Sequence, residues 1–130
     1  MSTFKRFEDI DAWQKSRYLA QQLNSITKYP NFRDDLDLKR QIKRSAGSIM
    51  DNIAEGFERG GNKEFIQFLS ISKASAGEIR SQLYRSLDQE FISKQQFEEL
   101  SMLVVEISKM LEGLMSYLRK SDLKGPKYKH

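Results

Sequence analysis

The 130-residue chain has no cysteine, and its one histidine is the final residue, His130. Without cysteine there are no disulfides, thiolate zinc sites or thiol nucleophiles. Without an internal histidine, Ser-His-Asp triads, imidazole-bound zinc and histidine acid–base pairs have nothing to work with. Proline occurs only at Pro30 and Pro126, which leaves long stretches free to stay helical. No apolar run approaches the roughly 20 residues that cross a bilayer. Residues 1–6 lack the apolar core of a signal peptide, so a cytoplasmic location with no membrane partner is expected. With only 7 glycines, collagen-like and low-complexity classes are also excluded.

What is present suits a folded domain. Aromatic residues reach 11%, too many for a disordered chain. A chain of this length hides about two thirds of its unfolded surface, enough for one core without staples. Charge is unevenly placed. Residues 1–44 carry 10 basic and 6 acidic side chains, residues 45–118 carry 7 and 11, and residues 119–130 carry 5 and 1. An acidic middle flanked by basic stretches attracts polyanions if the basic parts converge in space; otherwise it is a solubilising surface.

Apolar spacing of four and three residues predicts four helices at about 8–28, 35–59, 63–89 and 94–120. The first places Ala12, Ser16, Leu19, Leu23 and Ile26 on one face, and residues 29–34 form a loop around Pro30. Asp34 or Asp35 caps the second helix, which aligns Leu38, Ile42, Ala46, Ile49, Ile53 and Phe57 and stops at Gly60-Gly61. Asn62 caps the third, with Phe65, Leu69, Ser72, Ala76, Ile79 and Leu83 inward. Ser93 and Gln96 form a capping box for the fourth, whose heptads run from Phe97 to Leu118. Short connections between long amphipathic helices predict an all-α, up-down-up-down antiparallel four-helix bundle over residues 1–120. Residues 121–130 form a basic tail.

Two features point beyond a bundle core. Leu103, Met110 and Tyr117 make a second stripe on the fourth helix, implying deeper burial or contact with another subunit. Small residues around Ala76 and Gly77 imply a close backbone approach, since glycine inside a helix costs up to about 1 kcal/mol relative to alanine.

Chemistry is sparse. A di-iron bundle site needs Glu-x-x-His pairs, and no internal histidine exists to supply them. Asp51 and Glu55 stand one turn apart, as a hard-cation site would require, but Glu55 also lies one turn before Arg59 and suits an ion pair. No catalytic set, metal site or cofactor site is expected. The strongest signal is Lys39, Arg40, Lys43 and Arg44 in the N-terminal half of the second helix. Arg40 and Arg44 point away from the apolar face, where phosphate contacts need mobile cationic tips on a rigid element. The alternative is a salt-bridge set with Asp34, Asp35 and Asp37.

The second and third helices resemble a known family. The strings Arg44-Ser45-Ala46, Ser48-Ile49, Asn52-Ile53-Ala54-Glu55-Gly56, Glu64-Phe65 and Phe68-Leu69 resemble the bundle proteins encoded by intervening sequences in bacterial 23S ribosomal RNA genes. Phe7, Ile10, Trp13 and Leu111-Glu112-Gly113-Leu114 extend the resemblance to about residues 4–119. Two departures stand out: Met50 replaces a common proline, and Ser75-Ala76-Gly77 replaces a Gly-Ser pair. The family resembles the accessory proteins of diversity-generating retroelements, which are homopentamers that engage nucleic acid and a reverse transcriptase. The resemblance therefore implies a non-enzymatic homo-oligomer, a pentamer, binding RNA or DNA through a basic surface. Structural or interface roles are expected for Asn52, Glu55, Gly56, Ala76 and Gly77. The alternative function is an adaptor holding a protein partner, such as a reverse transcriptase, on the assembled surface.

Overall fold

The computed structural model describes residues 4–122. Residues 123–130, with most of the expected basic tail, lie outside the described residues. After a 3-10 turn at Phe7–Asp9 come five α-helices: α1 Asp11–Ile26, α2 Pro30–Asp34, α3 Leu36–Glu58, α4 Asn62–Asp88 and α5 Lys94–Asp122. The four long helices form the bundle, and no strand occurs among the described residues. Around the bundle α1 packs on α3, α3 on α4, α4 on α5, and α5 back on α1. Cross-helix bonds show the alternating direction. Gln82 meets Ser45 while Ser72 meets the Ile49 carbonyl, and Lys73 meets Glu112 while Tyr84 meets Phe97.

The expected stripes make the core. Leu19, Leu38, Ile42, Ile49, Ile53, Leu69, Ile79, Leu83, Val104, Ile107 and Leu111 are fully enclosed. Helix ends explain why the chain turns where it does. Asp35 caps α3, its Oδ1 accepting from the Leu38 amide at 3.0 Å. Gly60 follows α3 at φ +83°, and its amide donates to the Phe57 carbonyl at 3.2 Å. The Ser93–Gln96 capping box is complete, with reciprocal bonds of 3.1 and 2.8 Å.

Three local expectations are corrected. The first helix is preceded by a 3-10 turn and starts at Asp11, because Ile10 takes an extended conformation and buries its side chain. Residues 30–34 form the short α2, not a loop. Pro30 supplies a preset first-turn φ, and enclosure of Phe32 against Phe91, with centroids 5.2 Å apart, holds the turn down. Asn62 is the first residue of α4 and makes no cap bond; its buried Nδ2 donates instead to the Leu118 carbonyl at 3.2 Å. That bond ties the start of α4 to the end of α5.

Candidate nucleic-acid interface

The basic half of α3 begins directly after its cap. On a helix turning about 100° per residue, Lys39, Lys43, Arg40 and Arg44 spread over an arc of about 140°. Lys39 is half-buried and the other three are exposed. None of the four side chains makes an ion pair or hydrogen bond among the described residues. The neighbouring aspartates form no ion pair with them; each has another partner. Asp34 pairs with Arg33 at 3.3 Å, Asp35 caps the helix, and Asp37 accepts from Gln41 Nε2 at 2.9 Å. Lys39, at the end of the first turn, also stands near the positive end of the helix dipole.

Two cations elsewhere on the bundle are matched. Lys15 Nζ lies 2.8 Å from Glu106, whose hydrogen bond and charge raise the lysine pKa. Lys73 Nζ lies 2.6 Å from Glu112 and, with Arg119 adding to it, holds that carboxyl below the ordinary carboxylate range. The basic half of α3 instead gathers four cations within two turns of one helix.

Asn52 and Ser75 both bond Ser48. Asn52 Nδ2 donates to the Ser48 carbonyl and hydroxyl at 2.8 and 3.0 Å, and Ser75 on α4 bonds the same hydroxyl at 2.8 Å. Asn52 is thus linked to α4 through one serine. Glu55 pairs with Arg59 at 3.0 Å, and Arg59 also reaches Glu64 at 3.7 Å and covers the Phe68 ring. Glu55 is therefore held in a local ion-pair cluster at the α3–α4 turn. Asp51 is exposed, and the described residues contain no group of three or more acidic or histidine side chains able to hold a metal.

Gly56 is a point of close approach: a Cβ there would stand 2.6 Å from Phe68 Cβ. Ala76 is enclosed in the core, whereas Gly77 is exposed and a Cβ there would meet nothing within 4 Å. Leu103, Met110 and Tyr117 are half-buried against the core. Met110 and Tyr117 border an apolar recess with Phe4 and Ile10, while Leu103 borders a mixed polar and apolar one with Tyr18, Gln22 and Ile26. The second stripe therefore follows the side of α5 next to α1.

The sequence profile of the 23S rRNA-intervening sequence protein family matches residues 8–113. The chain belongs to this family. A crystal structure described as a protein of unknown function from the S23 ribosomal protein family of Bacteroides thetaiotaomicron VPI-5482 has a similar fold. Its TM-score is 0.73 at 28% identity, over 80% of this chain and 97% of that one. No curated protein matches the chain. In an intervening-sequence protein, as in any bundle, a cation contributed from a distant helix is hidden in the sequence. Here that cation is Arg85, whose Nη1 donates to Gln41 Oε1 at 3.0 Å across 44 positions of sequence. It adds a fifth positive group at the edge of the α3 patch. The only local hint is the spacing of Gln82 and Arg85 on α4, which becomes meaningful once the α3–α4 register is known. No helix among the described residues is long and apolar enough to cross a membrane.

Proposed function

We propose that this intervening-sequence family protein is a non-enzymatic RNA-binding protein, active as a cyclic homo-oligomer, that holds RNA by its phosphates on the basic half of α3. The observation that carries the reading is the absence, among the described residues, of partners for Lys39, Arg40, Lys43 and Arg44 while Asp34, Asp35 and Asp37 are engaged locally. Exposed cations on a rigid helix exchange their counterions for phosphates at little cost in side-chain order. The family description, which names the 23S rRNA intervening sequence, favours RNA as the polyanion. Such contacts position a strand without reading its bases, so binding is weakly sequence-specific.

The test is anisotropy of labelled single-stranded RNA against rising salt. Clear binding is expected at low salt, with a log–log slope of about −0.7 per phosphate neutralised. No binding at low salt would reject it and favour an adaptor that holds a protein partner.

A further inference from the structure

The same end of the bundle exposes an aromatic surface that the phosphate reading does not use. Tyr84 on α4 is 56% exposed, and Met102 on α5 is 74% exposed. Together with Phe97 and Val105 they line an open groove of about 510 Å³ between α4 and α5. Phe97 meets the Tyr84 ring edge to face, with centroids 4.8 Å apart and planes at 62°. The tyrosine ring is therefore fixed while much of it stays open to solvent, so a planar ligand would bind it at little ordering cost.

We infer that this groove is a stacking site for an unpaired nucleobase of the same RNA strand whose phosphates lie on α3; the inference rests on the RNA-binding reading above. Charge selects this occupant. Arg80, one turn before Tyr84, and Lys109 both border the groove, and neither side chain has an ion pair among the described residues. The groove's acidic side chain, Glu106, is already taken by Lys15 at 2.8 Å. An aromatic platform with two such cations farther along the same groove suits a base whose strand continues past them.

Position selects the same strand. Gln82 Nε2 reaches Ser45 Oγ at 3.2 Å and Arg85 reaches Gln41, which sets Tyr84 level with the basic half of α3. Arg40 and Arg44 are the α3 cations nearest the groove, and at least the width of α4, about 10 Å for a helix with its side chains, lies between. Exposed Gly77 and Ser81 lie on α4 nearby and carry no bulk to obstruct a crossing strand.

The experiment measures affinity of a labelled oligouridine of about twenty nucleotides, longer than a typical single-strand site, for wild type, Tyr84→Ala and Tyr84→Phe. A perfect duplex RNA of equal length serves as the second probe. Removing one stacked base should weaken oligouridine binding by Tyr84→Ala about fivefold or more. Its salt slope should stay unchanged, because the same phosphates are neutralised as in wild type. Tyr84→Phe should bind like wild type, and all three proteins should bind the duplex equally. Unchanged oligouridine affinity in Tyr84→Ala would overturn the inference and leave the phosphate reading intact. Equal weakening by Tyr84→Phe would also overturn it, since the ring is retained there. Absence of wild-type binding at low salt would remove both readings together.

Discussion

Gly56 and Glu90 show how much single backbone positions decide in this bundle. At Gly56 the side chain is missing because Phe68 of the neighbouring helix fills the space, with its Cβ 2.6 Å from where another would stand. The Phe68 Cβ is anchored to backbone and cannot swing aside. Gly56→Ala should therefore destabilise the fold by about 1–3 kcal/mol, the usual range for overpacking, despite alanine's better helix propensity. Urea unfolding of the two proteins measures it; equal midpoints would show that α3 and α4 can separate freely. Glu90 is the reverse case. It ends α4 in the left-handed region at φ 62°, within a terminal motif closed by the Phe91 amide on the Ser86 carbonyl at 2.9 Å. Glycine carries no penalty there, so Glu90→Gly should stabilise the protein by about 1 kcal/mol, read as a raised thermal midpoint.

Between elements, the bundle is held by packing along the stripes and tuned by a few cross-helix polar pairs. Lys73 on α4 and Glu112 on α5 are one such pair, with the carboxyl held below its ordinary range by the lysine first and Arg119 second. A lowered carboxyl pKa favours the folded state once the group is charged. The contribution is present above the unfolded pKa and disappears as pH falls through the lowered folded value. Lys73→Met should move the Glu112 titration, followed by carboxyl NMR, back up toward the ordinary carboxylate range. No movement would mean that the pair does not form in solution. The long helices were readable in the sequence because each repeats apolar residues at three- and four-residue steps over several turns. Their caps at Asp35, Gly60 and Ser93–Gln96 were readable because each uses a residue type with one well-defined local role. The short α2 and the role of Asn62 were not, because both depend on contacts made from afar: Phe91 over Phe32, and the Leu118 carbonyl beside Asn62. The α3 cations were visible as a cluster, whereas their freedom from the nearby aspartates became visible only once Asp37 was seen bonded to Gln41. Arg85 and Tyr84 join that end of the molecule through the α3–α4 register, which no local pattern encodes.

At the scale of the molecule, α3 is polarised along its length. Lys39, Arg40, Lys43 and Arg44 occupy one half, and Asp51, Glu55 and Glu58 the other. A cyclic assembly would repeat that polarity in every subunit and turn four modest charges into a continuous basic band. Light scattering at micromolar concentration should give a mass near five chains; the mass of one chain would contradict the assembly. Whatever the subunit number, the cations of α3 are proposed as the groups that meet phosphate. The direct measurement is the salt dependence of single-stranded RNA binding by wild type and by the Arg40→Gln, Arg44→Gln double variant, with helix content checked by circular dichroism. Both arginines are exposed, so the fold should be unchanged. The log–log slope should become shallower by about 0.7 for each phosphate that the variant no longer neutralises. Identical slopes for the two proteins would remove this face of α3 from the function of the protein.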